Sequence, residues 1–113
     1  MKHICVPKDQ DALVRLDADR NIPGDLIEIT LNDEDFNKLW EKGFFHSINI
    51  QTNSIIDDFE DEHILDECQL NKVVNSELFE SENYEGEIFE VVREIKGLFE
   101  EALHRKTGIH FYF

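Results

Sequence analysis

At 113 residues, with 41% apolar residues that include nine Phe, one Trp and two Tyr, the chain has the length and the large side chains of one folded domain. Its net charge of −15 argues against direct binding to nucleic acid or to an anionic membrane, both of which need the opposite sign. No apolar run approaches the roughly 18–20 residues that span a bilayer, and the opening MKHICVPKDQ lacks the apolar stretch of a secretory signal, so a cytoplasmic protein is expected.

In chain order, HICVP predicts a strand closed by Pro7. LIEITL alternates Ile27, Ile29 and Leu31 with Glu28 and Thr30, the pattern of a half-buried strand. LNDEDFNKLWEKG predicts a helix. Asn32 is placed to cap it, Asp33, Glu34 and Asp35 to complement the positive end of its dipole, and Leu31 with Phe36 to staple its start. Phe36, Leu39 and Trp40 are expected to face inward, and Gly43 to end the helix.

FFHSINIQTN fits either period, since Phe44, Phe45 and Ile48 suit a helical face and Ile48 with Ile50 a strand; a helix is preferred. Over 66–79, Leu70, Val73, Val74 and Leu78 recur at helical spacing, and ESENYEGE follows as an acidic loop with Tyr84 near its tip. The clearest element is a helix from Glu87 to Arg105, whose apolar residues return every three or four positions, with His104, Arg105 and Lys106 in its last turn and Gly108 as its stop. IHFYF then predicts a terminal strand tied into the sheet, in which Ile109, Phe111 and Phe113 alternate with His110 and Tyr112. The order predicts an α+β domain over residues 1–113, with a small sheet of about three strands packed by several helices. Cys5 and Cys68, without CxxC spacing or histidine neighbours, are expected as buried free thiols.

Two stretches invite a metal. In DADRNIPGDLIE, Asp17, Asp19, Asn21, Asp25 and Glu28 fall at the oxygen-donor positions of a calcium loop, but Ile22 stands where the loop needs glycine and Glu28 lies in a strand. A plain Pro23-Gly24 turn is the better reading. In IIDDFEDEH, Asp57 with Asp61 and Asp58 with Glu62 would share a helix face, and His63 adds a nitrogen. No second histidine stands at ligand spacing, and the acids outnumber what a closed site could coordinate. GxSxG, P-loop and GxGxxG patterns are absent, and no pair among 26 acids is singled out for acid–base work, so neither an enzyme nor a cofactor is expected.

The distribution of charge says more than its total. Residues 1–56 carry ten acids and six bases, residues 57–90 thirteen acids and one base, and residues 91–113 three acids and four bases. A solvated face normally mixes the two signs, whereas a one-signed region creates a potential that attracts basic surfaces. The partner-binding residues expected on this ground are Asp57, Asp58, Glu60, Asp61, Glu62, Asp66, Glu67 and Glu82, with Phe59 and Tyr84 as apolar contacts.

In its size, its acidity, the EKGFFHSIN to IIDDFEDE stretch and the amphipathic helix running into GIHFYF, the chain resembles the small acidic immunity proteins of bacterial polymorphic-toxin and contact-dependent growth inhibition systems. The resemblance implies a non-enzymatic inhibitor that binds and neutralises a basic toxin domain, most plausibly a nuclease, in the producing cell. The rival expectations are an acidic DNA mimic acting on other nucleic-acid proteins, a metal-dependent enzyme using the acidic cluster, and a stable domain whose acids serve solubility.

Overall fold

A computed structural model describes residues 2–113. The chain runs β1 (Lys2–Pro7), α1 (Gln10–Asp17), β2 (Leu26–Leu31), α2 (Asp33–Glu41), α3 (Phe44–Thr52), β3 (Asp61–Ile64), α4 (Glu67–Val74), α5 (Glu87–Arg105) and β4 (Ile109–Tyr112), with short 3₁₀ turns at Glu77–Phe79 and Ser81–Asn83. The four strands form one antiparallel sheet in the order β2-β1-β4-β3. The α+β class is therefore as expected, with one strand more than the sequence suggested.

The helices begin where short polar side chains occupy orphan backbone donors. Asn32 accepts from Asp35 N at 2.7 Å to start α2, and Asp66 accepts from Gln69 N at 3.0 Å to start α4. Gly43, at φ +77, turns the chain between α2 and α3, a conformation that suits a residue without Cβ. The 44–52 segment is a helix, as preferred, and Phe44, Phe45 and Ile48 are buried on it. The helix expected over 66–79 stops at Val74, where Asn75 caps it and Ser76 opens the 3₁₀ turn.

Helix α5 occupies the expected residues, but Lys106, not a glycine, is its left-handed C-cap at φ +55. Gly108 serves another purpose: a Cβ there would stand 2.3 Å from Leu65 Cδ2 and 2.9 Å from Ile64 O, so the β3 end packs directly on its backbone.

One sheet face carries Ile4, Val6, Leu31, Ile64, Ile109 and Phe111 against Phe36 and Leu39 of α2, Phe44, Phe45 and Ile48 of α3, Leu70 and Val73 of α4, and Val92, Ile95 and Phe99 of α5. Burying these side chains, at about 1.5–3 kcal/mol each, is the main stabilising contribution. Trp40 departs from the inward expectation: it lies at the margin of this core, 43% exposed. The Cα radius of gyration of 13.4 Å matches the roughly 13–14 Å of a compact domain this long.

On the opposite face, α1, which the sequence analysis did not anticipate, lies over β1. There Leu16 lines a groove with His3, Cys5 and Tyr112. Strands β1 and β4 are consequently covered on both sides, and the expected alternation fails in β4, where Ile109, His110 and Phe111 are all buried. Phe113 is only half-buried. The thiols are free, but only Cys5 is buried, with its pKa pushed up to about 12 chiefly by burial; Cys68 is exposed.

Candidate functional site

The antiparallel register brings the start of β1, the end of β4 and the start of β3 to one end of the sheet: His3 pairs with Tyr112, and Asp61 with Tyr112 from the other side. The acidic stretch enters there as a turn and an edge strand. It is not the helix that would have placed Asp57 with Asp61 and Asp58 with Glu62 on one face.

The turn is closed by Glu60 N donating to Asp57 O at 3.3 Å, and Asp57 Oδ1 accepts from Asp58 N at 2.7 Å. Phe59 N donates to Phe113 O at 2.9 Å and Phe113 N to Glu60 O at 3.3 Å, so two residues of this strand oppose one of β4, the arrangement of a bulge. Bulging sets Phe59 at φ +65, a left-handed conformation that costs a residue with Cβ about 1–2 kcal/mol, and its ring is 89% exposed. Phe59 therefore points outward from a clamped backbone.

Lys2 holds the turn from beneath. Its Nζ donates to Asp58 Oδ1 at 2.5 Å and to Phe113 O at 3.5 Å, and it lies 4.5 Å from the Phe36 ring centroid and 5.5 Å from that of Phe59. Phe36 stacks in turn on Trp40, with centroids 5.7 Å apart.

The acids expected to bind a partner divide by task. Asp58 is paired with Lys2. Glu62, half-buried, accepts from Ile55 N and His63 N, both at 2.9 Å, and so fixes the preceding loop. Asp66 is the α4 cap. Asp57, Glu60, Asp61 and Glu67 are exposed and form no ion pair among the described residues, but Glu67 lies past the far end of β3, beside Lys106 and Thr107, which leaves Asp57, Glu60 and Asp61 as the accessible charges of this region.

Glu82 lies elsewhere, with Glu77, Glu80 and Asn83 around another shallow groove. Tyr84 requires correction. It is not at an exposed loop tip: it is buried against Phe44 at 6.3 Å between centroids, its hydroxyl donates to Leu78 O at 2.5 Å, and burial pushes its pKa up to about 12.

Lys2, Trp40, Asn49 and Ile55 belong to the site without having been anticipated. Nothing local marks Lys2, whose partner Asp58 is remote in sequence. Trp40 read as core because it shares the α2 stripe with Phe36. Asn49 binds the Ile56 backbone at both ends, receiving Ile56 N at 2.8 Å and donating to Ile56 O at 3.0 Å, and thereby presents Ile55, 72% exposed, beside Trp40.

The calcium-like stretch is organised for ion pairing within the chain. Pro23-Gly24 form the expected turn, with Gly24 at φ +87 and Asp25 N donating to Ile22 O at 3.1 Å. Arg15 binds Asp25 through Nε at 2.8 Å and Nη2 at 2.6 Å, and these bonds, with that from Ile22 N, draw the Asp25 pKa down to about 2. Among the described residues, no group of three or more His, Cys, Asp or Glu side chains is arranged to hold a metal ion, and no helix is long and apolar enough to cross a membrane.

Compared with protein-family models, with curated proteins and with solved structures, the chain finds no match.

Proposed function

We propose that this chain is a non-enzymatic inhibitor that binds and neutralises a basic toxin domain, most plausibly a nuclease, through the acidic end of its sheet. The observation that carries the reading is Phe59: a large apolar ring 89% exposed, in a strained backbone conformation that two hydrogen bonds to Phe113 hold in place, among unpaired carboxylates. Apart from the Lys2 contact, an exposed aromatic on a strained backbone adds little to the isolated fold, whereas an interface uses such a ring as its anchor. Asp57, Glu60 and Asp61 supply the complementary field for a positive surface, which speeds encounter and sets orientation. The resemblance to small acidic immunity proteins points to the same class of partner.

The test is to identify the reading frame next to this chain's own and to ask whether the chain protects cells that express the domain it encodes. Reversing Asp57, Glu60 and Asp61 to Lys spares Asp58, Glu62 and Asp66 and removes only the local bond from Asp58 N to Asp57, so circular dichroism should stay native while protection is lost. Phe59→Ser should weaken binding to the purified toxin by roughly thirtyfold, the effect of a central aromatic anchor worth about 2 kcal/mol. Full protection by the charge-reversed protein would refute the reading.

A further inference from the structure

Next to Phe59, a groove of about 360 Å³ is lined by Trp40, Asn49, Ser54, Ile55, Ile56, Asp57 and Glu60. We infer that it is a subsite for an arginine side chain of the basic partner, an inference that rests on the acidic end being the docking surface.

The lining mixes the apolar side chains of Trp40, Ile55 and Ile56 with the carboxylates of Asp57 and Glu60. Trp40 has one ring face stacked on Phe36 and the residue is 43% exposed at the groove; Ile55 stands beside it, and buried Ile56 contributes to the lining. The remaining polar groups are already engaged. Asn49 is spent on both ends of the Ile56 backbone, and the Ser54 hydroxyl bonds Thr52 Oγ1 at 2.7 Å. Apart from the Trp40 indole N–H, only the Asp57 and Glu60 carboxylates are left to recognise a ligand, and one Asp57 oxygen also accepts from Asp58 N.

A purely apolar side chain would fill the groove but strip water from two carboxylates without replacing it. An acidic one is repelled, and a second copy of a chain with net charge −15 brings the wrong sign to this surface. A lysine satisfies the charge as a compact point. Arginine satisfies the whole site: its methylene stem lies along Ile55, its planar guanidinium stacks on an indole, and its fork of donors reaches two carboxylates at once. The volume lies at the low end of the roughly 300–1,000 Å³ of ligand sites, which suits one side chain and not a folded segment.

The experiment is a titration of the ¹⁵N-labelled full chain with blocked Gly-Arg-Gly, blocked Gly-Lys-Gly and blocked triglycine peptides, followed by two-dimensional NMR. The Trp40 indole, the Ile55 amide and the Asn49 side-chain amide should shift saturably with the arginine peptide, which should bind about threefold tighter than the lysine peptide. Asp57→Asn with Glu60→Gln should weaken that binding roughly five- to tenfold. Equal affinity for the two cationic peptides, or shifts spread over the acidic surface without saturation at the groove, would overturn the inference. Such a result leaves the loss of protection on charge reversal untouched. Conversely, saturation at the groove with undiminished protection after charge reversal would remove the toxin as the source of the arginine and keep only the arginine preference of the groove.

Discussion

Phe59 separates the requirements of the fold from those of a surface. Its side chain buries almost nothing, and its backbone sits where asparagine is tolerated better than phenylalanine. Phe59→Asn should therefore leave stability unchanged or raise it by up to about 1 kcal/mol in urea denaturation, after loss of the Lys2 contact is offset against relief of strain. A loss larger than about 1 kcal/mol would make the ring structural. His110 is the opposite case, a polar side chain sealed inside, with Nε2 buried and unpartnered among the described residues. Burial, and then the neighbouring His63 at 5.4 Å between ring centroids, bring its pKa down from 6.5 to about 4, against a smaller opposing pull from Asp17. Because the unfolded chain takes up this proton first, the contribution of neutral His110 is complete above pH 6.5 and disappears as pH falls towards about 4. The wild-type chain should lose roughly 2–3 kcal/mol over that window, and His110→Leu should flatten the curve. Identical curves for the two proteins would contradict this account.

Among the elements, the helices were the most legible. Their caps and apolar periods are local, so α2 and α5 could be bounded from the sequence, and α3 could be preferred over a strand. Strand β3 was hidden because DEHI holds one buried apolar residue, Ile64, and an edge strand needs few. Its carboxylates, read as a helical face, are a turn and a ladder because Phe113 and Phe111 offer them a strand to pair with. Helix α1 escaped notice for a related reason: QDALVRLD buries only Ala12 fully, and Asp9, which accepts from Ala12 N at 2.8 Å, was not recognised as a cap. Two adjacent acids at the start of α4 test this reading of tasks. Asp66→Ala should cost about 1 kcal/mol in thermal or urea unfolding, since it removes the cap, and Glu67→Ala should change stability by less than half as much. Equal effects would mean that the capping bond contributes nothing.

For the molecule as a whole, a charge of −15 on a fold of 13.4 Å radius of gyration opposes compaction everywhere. Among the described residues six ion pairs offset it, five of them between neighbours in one helix or through Asp25 alone, so most of the repulsion is exposed to screening. Raising NaCl from about 0.02 M to about 0.5 M, which shortens the screening length from roughly 20 Å to roughly 4 Å, should raise the thermal midpoint. The same salt should weaken capture of a basic partner. A midpoint that falls with salt would show that the ion pairs outweigh the repulsion.

The sequence by itself determined the fold class, the α2 and α5 helices, the strands at both ends, the Pro23-Gly24 turn and the concentration of acid in one third of the chain, because each of these depends on residues near one another. Tertiary structure decided which acids are free. Pairing β4 between β1 and β3 brings Lys2 to Asp58, buries His110 and turns Phe59 outward, while Glu62 is occupied by Ile55 and Tyr84 is buried against Phe44. Those contacts join residues far apart in sequence, and no local pattern of charge or hydrophobicity carries them.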